Sequence, residues 1–166
     1  LMLLDYISEL LPTPMEGNYH KATRQDGETE EFVVSPGGVP TAFVFKTVAD
    51  QYGKYSYVKV LSGVIKPNMS LVNATTGETE KLGRIYIMRG KKATETDELG
   101  VGDIGAIGKM EKVRTGDTLC DASRVVKLPA PVFPQPSLFM AVTVAKKGDE
   151  GKISSALARL MEEDPT

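Results

Sequence analysis

The chain has 166 residues, 41% of them apolar and 25% charged, with a net charge of −2, one cysteine, one histidine and no tryptophan. That length allows one full domain, or one domain plus part of another, around an aliphatic core. The balance of charge excludes a bulk electrostatic pull on nucleic acid or membrane; the lone Cys120 excludes an intramolecular disulfide framework and fits a reducing cytoplasm; no apolar run approaches membrane-spanning length.

The first eleven residues place Leu3, Leu4, Ile7, Leu10 and Leu11 on one helical stripe, which Pro12 and Pro14 stop. No capping residue precedes them, so residues 1–14 read as the last turns of a helix whose domain has been cut away. Residues 15–40 are polar and turn-rich and read as an interdomain linker, with a short strand at 31–34. From Thr41 the pattern becomes strand after strand. Residues 42–48 and 55–61 are rich in β-branched and aromatic side chains, with a turn at 50–54 between them and Ser62-Gly63 closing the pair. Val64-Ile65 is a short strand or corner, followed by a turn at Lys66-Pro67-Asn68. Residues 70–74 pair across 75–78 with 81–89 as a hairpin, and 125–128 return a final edge. Six or seven short antiparallel strands at this spacing predict a small closed or nearly closed β-barrel over residues 41–128. Residues 129–136 are proline-rich and form a second boundary. A strand at 138–145 and a helix at about 149–163, ended by Asp164-Pro165, then open a truncated second domain over 137–166.

Two Gly-Asp pairs, Gly102-Asp103 and Gly116-Asp117, bracket a short apolar run and read as tight corners into strands. Residues 100–105 also satisfy G-x-G-x-x-G, the dinucleotide fingerprint. That motif needs a strand before it and a helix after it, and the residues beyond Gly105 carry no helical stripe, so a dinucleotide enzyme is the weakest reading. No G-x-x-x-x-G-K-[ST] occurs. The single His20 and Cys120 give neither a zinc set nor a nucleophile pair, and Cys120 reads as a small buried hydrophobe. No active site and no metal site emerge. The local charge feature is basic: Lys81, Arg84, Arg89, Lys91 and Lys92 crowd one hairpin arm and its tip, and Lys109, Lys112 and Arg114 a later corner. These form either a solvated rim or a surface for phosphate backbone, with Arg84, Arg89, Lys91, Lys92 and Arg114 as candidate RNA contacts. Strand alternation puts Arg84 and Arg89 on opposite faces unless Gly83 or Gly90 hosts a bulge.

Residues 42–50, Ser62-Gly63, 72–75, Gly102-Asp103-Ile104 and 115–121 together resemble domain II of bacterial elongation factor G. Residues 155–166 resemble the first helix of that family's domain III, and residues 3–12 the last helix of its GTPase domain. The resemblance implies a translation-factor β-barrel followed by the start of a ferredoxin-like α+β domain. It implies a non-catalytic module of a ribosome-associated GTPase, with GTP and magnesium held in a G domain outside this chain. The implied partners are small-subunit ribosomal RNA, that G domain and domain III. Arg89-Gly90-Lys91-Lys92 stands where elongation factor G usually has a Met-His-Ala-Asn-like turn. Pro67-Asn68-Met69 replaces a glycine-containing corner, and Gln51 stands where proline is common. The Arg-Gly-Lys-Lys form resembles the elongation-factor-G-like paralogues, so translocation, ribosome rescue and recycling all stay open for the parent. The alternative of another class is a stand-alone oligonucleotide- or peptide-binding barrel.

Overall fold

A computed structural model describes residues 2–16, 20–50, 53–110 and 112–164. The turn expected at 50–54 passes through Gln51 and Tyr52, which lie outside the described residues, as does Pro165. The elements are α1 (Met2–Leu10), β1 (His20–Arg24), β2 (Thr29–Phe32), β3 (Thr41–Asp50), β4 (Gly53–Ser62), β5 (Ser70–Asn73), β6 (Thr79–Lys81), β7 (Ile85–Arg89), β8 (Lys92–Thr96), β9 (Ile104–Gly108), β10 (Thr118–Cys120), β11 (Val126–Lys127) and α2 (Glu150–Glu163).

The long β3–β4 hairpin is the spine. Alternating β-branched residues give it one buried face, with Ala42, Val44, Val58 and Val60 fully inside. β10 pairs with β3 and β9 with β4, and the sheet continues outward in the order β6-β5-β10-β3-β4-β9-β7-β8. All ladders in it are antiparallel. The main core joins these valines to Ile65, Leu71, Leu82, Ile85, Leu99, Ile107, Met110, Val113 and Leu119.

The closed barrel expected from strand spacing is not formed. β6 and β8 are the two edges of an open eight-stranded sheet, and no ladder joins them. The reason lies in β8, whose residues are almost all exposed: a strand carrying Lys92, Thr94 and Glu95 has no apolar face whose burial would favour closure. β6 is three residues long and equally polar. The hairpin expected between 70–74 and 81–89 is likewise shorter. β5 pairs with β6 and with β10 but not with β7, while β7 pairs with β8 and, through Ile85 and Tyr86, with β9.

Residues 15–40, expected as a linker, carry β1 and β2. β1 also pairs with β11, giving a second sheet in the order β11-β1-β2. Its small core holds Ala22, Phe32, Leu61, Cys120, Val126 and Leu128. Val125 to Leu128 therefore adds to this sheet and not to the main one. Residues 138–145, expected as a strand, form none, because no described segment offers their backbone a partner. Leu138, Phe139, Met140 and Val142 are left exposed. α2 follows Asp149 and rests against β3, where the Ala49 N–H donates to the Glu163 carboxylate (2.6 Å).

Candidate functional site

The basic residues divide among separate places. Arg89 and Lys92 face each other at the end of the β7–β8 ladder, and Gly90-Lys91 is the two-residue loop between them. Gly90 sits at φ 60°, the left-handed backbone that a tight hairpin loop requires at its first position. Arg89, Lys91 and Lys92 are exposed and make no ion pair among the described residues. Beside them Ile87 is 40% exposed and β8 is covered on neither face, so the hairpin reaches out beyond the core. Arg84 stands apart. It precedes β7, bonds Glu95 across the β7–β8 ladder (3.3 Å), and alternation puts it on the face opposite Arg89. Arg114 lies on the corner before β10, four positions away from β7 in the strand order, and Lys112 is paired with Glu78 (2.9 Å). Lys81, at the end of β6, is exposed. The structure thus brings together Arg89, Lys91 and Lys92, and separates them from Arg84 and Arg114.

The two Gly-Asp pairs make the same corner twice. The Gly102 N–H donates to the Val60 carbonyl (2.8 Å), and the Val60 N–H donates to the Asp103 carbonyl (3.0 Å). Gly116 and Asp117 repeat this against Val44, at 2.7 and 2.9 Å. Each glycine has positive φ, 88° and 94°, which turns the chain into the following strand. Each aspartate accepts the backbone N–H three residues back, from Gly100 and from Arg114, both at 2.8 Å. One corner therefore pins β9 beside β4 and the other pins β10 beside β3. Gly63, at the end of β4, donates its N–H to the Ser35 carbonyl (2.9 Å) and ties the spine to the segment after β2.

Burial separates the twins. Asp103 is exposed, whereas Asp117 is 6% exposed and also accepts from the Asn73 side-chain amide (2.8 Å), itself fully buried. The Asn73–Asp117 bond joins β5 to the corner, and nothing in the residue spacing indicates it. Cys120 is buried; its thiol donates to the Val126 carbonyl (3.1 Å), and burial pushes its pKa up, so it is an inert core thiol. In the second sheet Glu30 accepts from Arg124 (2.6 Å) and from Arg24, and Arg124 above all holds its carboxyl below the usual range.

Two concavities escape sequence reading. An apolar one of about 340 Å³ lies among Phe43, Phe45, Leu61, Ile104 and Leu128, with Lys59 at its side. A polar one of about 560 Å³ lies where the Pro67-Asn68 turn, the Gly83-Arg84 link and the end of β9 meet. Among the described residues no group of three or more His, Cys, Asp or Glu could hold a metal, and no helix is long and apolar enough to cross a membrane. With no phosphate loop in the sequence either, the residues present do not fit GTP and its magnesium.

Comparison with known proteins gives concordant matches. The family described as Elongation factor G domain 2 matches residues 40–122, and the family described as Elongation Factor G, domain III matches residues 133–166. An elongation factor G-like protein of Thermotoga maritima and an elongation factor G of Chlamydia trachomatis are each 36% identical over 99% of the chain. An elongation factor G 2 of Shewanella frigidimarina is 35% identical over the same share. The chain spans 24% of the length of these curated relatives. A crystal structure of a Thermus thermophilus protein superposes with a TM-score of 0.73 at 28% identity, over 99% of this chain and 22% of that one.

Proposed function

The chain belongs to the elongation factor G family, and on that premise we propose that it is the non-catalytic β module through which a translational GTPase meets small-subunit ribosomal RNA. The chain matches the second domain and part of the third, in the family's order. GTP hydrolysis then belongs to a G domain, and the exposed stripe of Leu3, Leu4, Ile7 and Leu10 on α1 is an apolar face suited to packing on it. The working compartment is the cytoplasm, where ribosomes are.

The observation that carries the RNA contact is the tip of the β7–β8 hairpin. Arg89, Lys91 and Lys92 stand at the end of a projecting ribbon without anionic partners among the described residues. Cations so placed lose no ion pair when they meet phosphate, and they position a protein on RNA without reading sequence. The test is co-sedimentation of the full-length protein with small ribosomal subunits. Reversing both charges (K91E/K92E) is expected to weaken association several-fold and to make what remains less sensitive to added salt, with the fold intact by circular dichroism. Unchanged co-sedimentation would refute the contact.

A further inference from the structure

The polar cleft of about 560 Å³ has the size of a ligand site and an unusual backbone at its rim. Among the described residues only two non-glycines have left-handed φ, Asn68 (64°) and Lys109 (63°), and both line this cleft. Asparagine tolerates that conformation. Lysine does not gain by it, and such outliers collect at ligand clamps, where the surrounding structure holds them. Gly83 shows how tightly the floor is built: a Cβ there would collide with the Gly108 carbonyl.

The walls carry complementary chemistry. Arg84 stands on one side, oriented by Glu95 at 3.3 Å. Lys109 is exposed and makes no ion pair among the described residues, and the Asn68 side chain makes no hydrogen bond there. The Tyr86 ring is fixed edge-to-face against Tyr55, with centroids 5.9 Å apart and planes at 78°. Two cations, a free amide, an acceptor and a braced aromatic ring are the set that a phosphate, a ribose hydroxyl and a planar base call for.

We propose that this cleft binds one unstacked nucleotide, its base against Tyr86, its phosphate toward Arg84 and Lys109, and its ribose hydroxyl toward Glu95. The proposal rests on the RNA-contact reading for the source of the nucleotide, and on the cleft alone for the chemistry. Lys109 then supplies a cation at a backbone cost that glycine would avoid.

That cost supplies the test. The 166-residue chain is titrated with a fluorescein-labelled single-stranded RNA hexanucleotide, with AMP as competitor. K109G is expected to melt at or above the parent temperature yet bind the hexanucleotide at least about fivefold more weakly, and Y86L to bind it more weakly by a similar factor. K112Q, which removes an equal charge outside the cleft, is expected to stay within about twofold. Displacement of the hexanucleotide by AMP identifies a free nucleotide as a sufficient occupant; binding that resists AMP but stays sensitive to K109G identifies a nucleotide within RNA. Equal weakening by K112Q and K109G, full-strength binding by K109G, or binding of neither probe overturns the proposal. Should Y86L fail to fold, K109G still decides it. Failure of the hairpin reading shows up separately, as ribosome co-sedimentation unmoved by K91E/K92E.

Discussion

Removing the carboxylate from each of the twin corners should cost very different amounts. Asp117 accepts two N–H groups at 2.8 Å, one from the backbone of Arg114 and one from the side chain of Asn73, which is fully buried. Hydrogen bonds to a charged acceptor contribute about 1.5–3 kcal/mol each, and the stranded Asn73 amide has no water to turn to. Asp117→Ala is therefore expected to lose about 3–5 kcal/mol, a large part of an ordinary domain's stability. Asp103 accepts one backbone N–H, from Gly100, at a solvent-exposed corner. Asp103→Ala should lose about 1 kcal/mol. The substitution is the same in both variants, so unfolded-state effects largely cancel in the comparison. Urea unfolding followed by far-ultraviolet circular dichroism measures both, since the chain has no tryptophan to report. In a double-mutant cycle, Asn73→Ala should remove about 1–3 kcal/mol of the Asp117→Ala penalty. Equal losses at the two corners, or a cycle that closes additively, would show that burial of the Asn73–Asp117 bond does not set the difference.

At Gly83, where an added methyl would meet the Gly108 carbonyl, alanine should cost about 1–3 kcal/mol by overpacking. Gly37, with nothing within 4 Å of an added methyl and no positive φ, should accept alanine within about 1 kcal/mol in either direction; thermal melts of the pair compare them, and equal melting temperatures would contradict the close approach. The Glu30 carboxyl is held low by Arg124 and Arg24, so it binds its proton less readily when folded than when unfolded. Its contribution is therefore complete above the ordinary carboxylate pKa of about 4 and fades as the pH falls through the lowered value. Glu30→Gln should flatten the loss of stability over that acid window, read as urea midpoints from about pH 6 down to about pH 3; identical slopes for the two proteins would remove Glu30 from the account.

Local chemistry is legible along the chain. The stripe of leucines followed by Pro12 predicts α1, and the β-branched runs on either side of residue 51 predict the β3–β4 spine. The two Gly-Asp pairs read as corners because glycine's access to positive φ and the Asp-to-backbone bond are properties of three or four neighbouring residues. The ordered series of these motifs is also enough to point to the family that the comparisons show.

What tertiary structure alone decides is partnership. β1 and β2 lie in what reads as a linker, because a strand of polar residues such as His20–Arg24 takes its conformation only from β2 and from β11, about a hundred residues further on. The expected barrel fails for the converse reason: strand count and turn spacing are local, whereas closure depends on whether the edges β6 and β8 have apolar faces to bury against each other. The nucleotide-sized cleft belongs to the same class. Asn68, Arg84, Tyr86, Glu95 and Lys109 are scattered over some forty positions, and only the pairing of β7 with both β8 and β9 brings them to one rim. Turn geometry is set by adjacent residues and so can be read along the chain, while sheet order and cavities arise from contacts whose entropy cost and burial gain are balanced across the whole molecule.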